Sequence, residues 1–234
     1  FQNYSVDSLT VLEHCVIEYG GHTDNANLYL QSASPTINNN TIRYGSGHGL
    51  YLNSASPNIA NNNIADNGQD GIYMDNNSAA SISDNNFIDN GGSAINVYPN
   101  MVQNVVGNSG TGNAKNCIEV RGGLFSSTGT WAKQNLPYVV AGNIAVRYST
   151  YNSSTATLTI EPGVEIRFEP ATGMTIGHIY HSNKFYGALA AQGTESSPII
   201  FTSNAPSPAP GDWKGIYFQN YSVDSLTVLE HCVI

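Results

Sequence analysis

The sequence predicts an all-β solenoid, a parallel β-helix in which short strands stack coil upon coil. Three observations predict it: a composition rich in turn-forming residues, a short repeat of 22 to 23 residues, and a long repeat of 217 residues. Repeats of roughly 20 to 50 residues are typical of solenoids. Their coils bury little surface alone and share one continuous core when they stack.

The composition favours strands and turns over helices. Only 11% of the 234 residues are charged, whereas 23 are Gly and 29 are Asn. Scarce Glu, Lys and Arg argue against long helices, and abundant Gly and Asn supply turns. Because 40% of the residues are hydrophobic, the chain is able to form a core.

The charge excludes several classes of partner. The formal net charge is −9, with only 8 Lys plus Arg, so we expect neither nucleic acid nor an anionic membrane surface to bind. No segment approaches the roughly 20 apolar residues that cross a bilayer, and no membrane insertion is expected. The cysteines, Cys15, Cys117 and Cys232, show no metal-ligand spacing such as C-x-x-C. We therefore expect no metal and no other cofactor.

The long repeat is a duplication of seventeen residues. Residues 1–17 read FQNYSVDSLTVLEHCVI, residues 218–234 read the same, and the offset is 218 − 1 = 217 residues. We interpret the chain as part of a tandem array that forms one continuous solenoid. In this interpretation residues 1–123 are the C-terminal-type coils of one 217-residue repeat, and residues 124–234 start the next. Because the chain opens at Phe1 in what we interpret as mid-strand, we expect a fragment.

The short repeat defines one coil. Residues 28–37 read LYLQSASPTI, 50–59 read LYLNSASPNI, and 72–82 read IYMDNNSAASI. Successive starts are 22 residues apart, and the last two isoleucines, Ile59 and Ile82, are 23 apart. A coil of about 22 to 23 residues gives roughly ten coils in each long repeat. Because side chains alternate along a strand, Leu28 and Leu30 should face inward and Tyr29 outward.

Two further strands complete each coil, one carrying Ile37 or its equivalents and one beginning near Ile42. A polar corner lies between them, three residues after the isoleucine of the second strand. We predict a structural ladder here, since identical inward amides one coil apart can hydrogen-bond along the stack. Its members are Asn40, Asn62, Asn85, Asn108 and Cys15. The cysteine is expected to fill a ladder position as a small buried thiol.

The coils SPTINNNTIRYGSGHGLYL, residues 34–52, and SPNIANNNIADNGQDGIYM, residues 56–74, resemble the pectin-lyase-like superfamily of right-handed parallel β-helices. Within it the chain is similar to bacterial and archaeal extracellular proteins with parallel β-helix repeats. The second half, with LTIEPGVEIRFEP at 158–170, looks like the ordered lead-in of such proteins. The superfamily includes lyases, hydrolases, adhesins and structural stalks, so the resemblance implies the fold rather than one function.

The motif Gly47-His48-Gly49 is similar to the G-H-G of the polygalacturonase branch, but Asp70 and Asp75 follow it, whereas the family's aspartates precede it. The segment aligns with the turn at residues 68–72, GQDGI. We therefore interpret it as a repeated turn whose glycines permit positive φ, and we predict no catalytic residues.

Acidic and histidine candidates for calcium or metal binding are also interpreted structurally. Asp66 and Asp89, with Asp84 close by, are explained as turn caps. His178 and His181 form an H-x-x-H without a third ligand, which favours a loop over a zinc site.

The best candidate for binding is an outward tyrosine column, Tyr29, Tyr51 and Tyr73, with Tyr217 in GIYF placed on the same face. One interpretation is a self-stacking ladder that stiffens the strands. The other is a platform for a sugar chain or a neighbouring fibre.

These observations lead to one main hypothesis and two alternatives. The main hypothesis is a structural segment of an extracellular or cell-surface stalk or filament that stacks end to end, with neighbouring repeats or identical chains as partners and no enzymatic activity. The first alternative is a surface adhesin or carbohydrate-binding module that uses the tyrosines and has polysaccharide as its partner. The second alternative is a polysaccharide lyase or hydrolase.

Overall fold

The computed structural model describes residues 9–151 and 153–234, and these residues form short strands joined by tight corners. The strands are β1 (Val11–Glu13), β2 (Val16–Glu18), β3 (Ala26–Gln31), β4 (Thr36–Asn38), β5 (Thr41–Arg43), β6 (His48–Asn53), β7 (Asn58–Ala60), β8 (Asn63–Ala65), β9 (Ile72–Met74), β10 (Ser81–Ser83), β11 (Asn86–Ile88), β12 (Ser93–Val97), β13 (Val105–Val106), β14 (Ser109–Thr111), β15 (Lys115–Val120), β16 (Gly123–Phe125), β17 (Gly129–Trp131), β18 (Tyr138–Val140), β19 (Ile144–Val146), β20 (Ala156–Ile160), β21 (Glu165–Phe168), β22 (Met174–Ile176), β23 (His178–Tyr180), β24 (Asn183–Phe185), β25 (Gly187–Gln192), β26 (Ile199–Ser203), β27 (Ile216–Phe218), β28 (Val228–Glu230) and β29 (Cys232–Val233). Short 3₁₀ helices lie at Pro99–Asn104 and Asp224–Leu226. Within this described part, no helix has the length and apolar character needed to cross a membrane.

The chain forms two compact units. Among the described residues, unit 1 comprises residues 9–119 and 134–136, and unit 2 comprises residues 120–133, 137–151 and 153–234. Each unit is built from strands that follow one another around a coil and pair in parallel with the equivalent strands of the next coil.

In unit 1, every third strand belongs to the same sheet. Sheet A has the order β1-β4-β7-β10-β13, sheet B the order β2-β5-β8-β11-β14, and sheet C the order β3-β6-β9-β12-β15. The register confirms the short repeat, because Ile37 pairs with Ile59 and Ile59 with Ile82. The strands of this unit therefore form stacked coils of a parallel β-helix. Connections between parallel strands are right-handed in nearly all proteins.

The core of unit 1 is a stack of apolar side chains that the three sheets direct inward. Leu30, Leu50, Leu52, Ile59 and Met74 have no exposed surface, as the alternation with tyrosine predicts. Leu28, which lies between the buried Ala26 and Leu30 on the same face of β3, is only half-buried.

The corners of unit 1 depend on left-handed backbone conformations. The residue before each ladder position has positive φ, as at Asn39 (56°), Asn61 (55°) and Asp84 (54°). Asn and Asp tolerate this conformation better than other non-glycine residues. A second corner, after sheet B, has the same feature at Tyr44 (55°) and Asp66 (54°).

The turn glycines act differently from what we expected. Among the positive-φ glycines of the described residues, neither Gly47 nor Gly49 appears, so the expectation that they provide positive φ is wrong. They are instead required by close packing between coils. A Cβ on Gly49 would lie 2.6 Å from the Gly71 carbonyl oxygen, and one on Gly68 would lie 2.5 Å from the Ser46 carbonyl oxygen.

Unit 2 repeats the architecture with larger side chains. Three groups of strands pair in parallel: β16-β19-β22-β27, β17-β20-β25-β28 and β18-β21-β26-β29. An antiparallel hairpin, β23 with β24, projects from the coil between β22 and β25. The core contains fully buried Trp131, Tyr138, Phe168 and Phe201. The ring centroids of Trp131 and Tyr138 lie 5.3 Å apart.

Candidate functional site

The predicted ladder residues lie at the corner between sheets A and B, and their amides are linked along the coil axis. Asn40 Nδ2 donates to Asn62 Oδ1 at 3.0 Å, Asn62 Nδ2 to Asn85 Oδ1 at 2.9 Å, and Asn85 Nδ2 to Asn108 Oδ1 at 3.1 Å. Each amide also donates to the strand carbonyl of the preceding coil, as Asn62 does to Ile37 at 2.9 Å. All four side chains are at least 98% buried, so the ladder satisfies backbone groups that water cannot reach.

Cys15 occupies the next ladder position but is not buried. Its backbone N–H donates to Asn40 Oδ1 at 2.9 Å, which is the bond that each ladder residue makes to its neighbour. The side chain is exposed, which corrects the expectation of a buried thiol. The reason is position, since β1 and β2 are edge strands of sheets A and B.

A second amide ladder, which our sequence reasoning missed, runs along the corner after sheet B. Asn27 donates to Asn67 Oδ1 at 2.8 Å, Asn67 to Asn90 Oδ1 at 2.9 Å, and Asn90 to Asn113 Oδ1 at 2.9 Å. The signal was present in the sequence, because Asn67, Asn90 and Asn113 follow one another at intervals of 23 residues. Each also follows the residue that has positive φ.

Tyr29, Tyr51 and Tyr73 lie one coil apart on the outer face of sheet C, in direct register. The ring centroids of Tyr29 and Tyr51 are 5.1 Å apart with the planes at 82°, and those of Tyr51 and Tyr73 are 5.0 Å apart at 87°. Edge-to-face contacts of this kind stabilise aromatic pairs. The rings therefore pack against one another and do not form the flat strip that the platform interpretation requires. All three are half-buried.

Tyr217 does not belong to this column within the chain. It lies on β27, where it pairs with Thr175 of β22 in unit 2, and it is 63% exposed. It lines a groove of about 330 Å³ with Lys214, whose Nζ lies 3.0 Å from Asn143 Oδ1. The prediction that all four tyrosines share a face is thus wrong for the chain taken by itself.

A chain of polar side chains runs beside the tyrosines in unit 1. His48 Nδ1 accepts from the Asp70 backbone N–H at 3.2 Å. The Asp70 carboxylate accepts from the Ser93 N–H at 2.6 Å, and the Ser93 hydroxyl donates to Glu119 at 2.8 Å. His48 also contacts the Tyr73 ring, with centroids 4.9 Å apart. The histidine of the G-H-G motif is therefore one member of an axial polar row.

The carboxylate of Glu119 accepts from three neighbouring side chains in this row. It is 9% exposed and accepts from Ser93, from Asn96 Nδ2 at 3.2 Å and from Lys115 Nζ at 2.6 Å. This ion pair raises the pKa of Lys115. These three donors from the protein hold the carboxylate in one position. The geometry favours a rigid structural network.

The thiol of Cys117 lies close to the same row and is 4% exposed. Burial, followed by the charge of Glu119, raises its pKa to about 12. Because the thiolate is the nucleophile, this cysteine is chemically inert near neutral pH.

The acidic and histidine candidates lie at corners of the coils and at the start of a hairpin. Asp66 and Asp89 are corner residues with positive φ, and Asp84 has the same role at the other corner. His178 Nδ1 lies 3.1 Å from Gln219 Oε1, and the residue begins the β23 hairpin. Across residues 9–151 and 153–234, no three His, Cys, Asp or Glu side chains are arranged to hold a metal ion.

Comparison with known proteins agrees with the fold. The family model described as a right-handed beta helix region matches residues 3–135, and one described as a pectate-lyase-like beta helix domain matches residues 123–221. The first covers 135 − 3 + 1 = 133 of the 234 residues, which is more than half of the chain. No curated protein and no solved structure matches the sequence.

Proposed function

Because the chain belongs to the family of right-handed β-helix proteins, we propose that it is a structural segment of a longer tandem-repeat β-helix. In this proposal successive repeats stack end to end into an extracellular or cell-surface stalk or filament, without enzymatic activity. One observation carries the proposal: the duplicated segment is an edge of each unit, and its two copies pair through opposite edges.

The first strand of the duplicated segment is β1 in one copy and β28 in the other. In β1, Leu12 pairs with Ile37 of β4, the strand that follows by one coil. In β28, the equivalent Leu229 pairs with Ala191 of β25, the strand that precedes by one coil. Since the two strands are identical in sequence, one such strand is able to hold both neighbours at once. The strand edge that is unpaired in β1 is paired in β28, and the edge that is unpaired in β28 is paired in β1.

The second strand of the segment behaves in the same way. In β2, Val16 pairs with Thr41 of the following coil. In β29, the equivalent Val233 pairs with Ile200 of the preceding coil. Both strands of the duplicated segment thus have complementary free edges, which would otherwise be sites of aggregation.

The cysteine of the duplicated segment shows the same complementarity in its hydrogen bonds. The ladder residue Asn62 makes three such contacts. Its Nδ2 donates to the Ile37 carbonyl of the preceding coil and to the Ala60 carbonyl two residues earlier, and its backbone N–H donates to Asn85 Oδ1 of the next coil. Cys232 Sγ lies 3.4 Å from the Ala191 carbonyl oxygen and 3.5 Å from that of Glu230. Cys15 supplies the remaining bond, from its backbone N–H to Asn40. Taken together, the two copies make these three contacts.

The apolar surface at the two edges supports stacking as well. In one copy the inward side chains Leu12 and Ile17 are only half-buried, and in the other copy Ile234, the equivalent of Ile17, is 64% exposed. The side chains that pair with them in register in the next coil, Ile37 and Ile42, are fully buried. Stacking would remove this surface from water, at about 25 cal/mol for each Å² of apolar area.

The proposal also predicts the position of Tyr217 relative to the tyrosine column. If β28 and β29 continue into the next repeat, the strand that follows them is the next copy of β3, one coil after β27. The GIYF segment of β27 then precedes Tyr29, Tyr51 and Tyr73 of the following repeat in one column. The four tyrosines would share a face across the junction between repeats.

The test is the shape of a protein that carries residues 1–217 twice in tandem, measured by small-angle X-ray scattering and negative-stain electron microscopy. We expect one straight rod whose long dimension exceeds that of the single repeat by one full repeat length. A matched variant with Leu12→Asp in the second copy places a charge inside the junction and should bend or uncouple the rod. Two bodies joined by a flexible connection in the unaltered protein would overturn the proposal.

A further inference from the structure

A groove runs along the second corner of unit 1, on the outside of the amide ladder that contains Asn67. It has a volume of about 510 Å³. Its rim is formed by the residues with positive φ in four successive coils: Tyr19, Tyr44, Asp66 and Asp89. Two aromatic rings are thus followed, along the coil axis, by two carboxylates.

The floor of the groove is made of glycines. Gly68 and Gly91 occupy equivalent positions in successive coils, Gly45 occupies the ladder position equivalent to Asn67, and all three line the groove. A Cβ on Gly45 would lie 2.6 Å from Asn27 Nδ2, and one on Gly91 would overlap the Gly68 carbonyl oxygen. The packing of the coils therefore excludes side chains here, so the groove is a permanent feature of the fold.

The aromatic half of the groove differs from the tyrosine column on sheet C. The rings of Tyr19 and Tyr44 lie 5.5 Å apart and are nearly parallel, with 20° between their planes. They are 73% and 41% exposed. The guanidinium carbon of Arg43 lies 4.9 Å from the Tyr44 centroid, and its Nε is held by Glu18 at 2.8 Å. The two rings therefore present aromatic surface to solvent, and the charge of the neighbouring Arg43 is paired with that of Glu18.

The acidic half carries charge that no described residue neutralises. Asp66 and Asp89 are exposed, and within the part of the chain that the structure describes neither carboxylate forms a hydrogen bond or ion pair. The lining contains no Lys or Arg side chain. With a net charge of −9 on the whole chain, an acidic polymer would be repelled from this groove and a cationic one attracted.

We propose that this groove binds a linear polysaccharide of amino sugars, such as a glucosamine polymer. The aromatic rings of Tyr19 and Tyr44 pack against the apolar faces of sugar rings and attract their protonated amines. The carboxylates of Asp66 and Asp89 pair with amines further along the polymer. Rim residues recur once per coil, at about 4.8 Å, so the groove offers a row of regularly spaced contacts to a polymer with a regular repeat. This inference is independent of stacking between repeats.

The experiment is isothermal titration of the full chain with a glucosamine hexamer at low and at high salt. We expect saturable binding that weakens as salt rises. The double variant Asp66→Asn with Asp89→Asn should weaken it about tenfold, since each exposed ion pair contributes modestly. Asn keeps the positive-φ conformation, as Asn39 and Asn61 demonstrate in the same protein. The matched control is Asp84→Asn, the equivalent change at the other corner, which should leave affinity unchanged.

Two further measurements separate the charges from the rings. The N-acetylated hexamer, which lacks the amines, should bind more weakly than the glucosamine hexamer, and Tyr44→Ala should weaken both. Circular dichroism melting curves identify any variant that fails to fold. If Tyr44→Ala fails to fold, the affinities of the Asp→Asn variants test the proposal. Absence of binding to the glucosamine hexamer, equal affinity in the double variant, or preference for polygalacturonate would each overturn the proposal.

Discussion

Replacing Asn62 by Ala tests the ladder most sharply, because this side chain joins three coils. Its Nδ2 donates to Ile37 O, Ala60 O and Asn85 Oδ1, each at 2.9 Å. Its Oδ1 accepts from the N–H and the Nδ2 of Asn40, at 2.9 and 3.0 Å. The variant therefore removes five hydrogen bonds from a site that is 2% exposed.

The expected loss of stability follows from what remains behind. An intramolecular hydrogen bond contributes about 1 kcal/mol net, and a buried group left without a partner costs about 1–3 kcal/mol. The Asn40 backbone N–H and the Ile37 carbonyl lose the ladder partner, whereas Ala60 O still accepts from Asn39 N–H. We expect the free energy of unfolding to fall by about 4 kcal/mol.

Urea unfolding followed by circular dichroism measures this loss, with Asn63→Ala as the control. Asn63 is the next residue, and among the described residues its side chain makes only a long contact of 3.4 Å, from Asn86 Nδ2. The control should lose less than about 1 kcal/mol. Equal losses in the two variants would refute the reasoning, because they would show that the ladder bonds contribute no more than exposed amides do.

Three other outcomes are expected. Gly49→Ala should reduce the free energy of unfolding by about 2 kcal/mol, because its Cβ would lie 2.6 Å from the Gly71 carbonyl oxygen; a neutral effect in urea unfolding would contradict the packing role. Iodoacetamide should label Cys15 before Cys117 at pH 8, as measured by mass spectrometry, since burial raises the pKa of Cys117 to about 12. The labelling rate of Cys117 should still be rising above pH 10, and rapid labelling of Cys117 at pH 8 would contradict its burial. Tyr51→Ala should lower stability by about 2 kcal/mol through loss of two edge-to-face contacts at 5.1 and 5.0 Å, and a thermal melt that does not shift would show that the rings are not coupled.

The strand faces were predictable because solenoid coils translate a repeat directly into position. Residues 22 or 23 apart in sequence are neighbours across one coil, so a column of isoleucines or asparagines can be recognised without coordinates. The pairings of Ile37, Ile59 and Ile82 follow from this rule. The second ladder follows the same rule, since Asn67, Asn90 and Asn113 are 23 residues apart.

Features that depend on edges and close contacts could not be obtained in this way. Cys15 occupies the predicted position yet is exposed, because burial requires a coil on both sides and spacing does not show which strands lie at an edge. The role of Gly49 depends on a distance to the backbone of the next coil, which no local pattern encodes. The nearly parallel rings of Tyr19 and Tyr44 depend on the conformation of a corner and lie outside the strand alternation.

Hydrogen exchange across the junction tests the central claim most directly, in a protein with two consecutive copies of residues 1–217. Two amides report on the two faces of the joining coil: Gly193 N–H of the first copy, which donates to Glu230 O at 2.8 Å, and Thr41 N–H of the second, which donates to Cys15 O at 2.9 Å. If one coil serves both neighbours, both amides should be as strongly protected as interior amides such as Asn63. Exchange of either amide at the rate of an open edge would contradict continuous stacking.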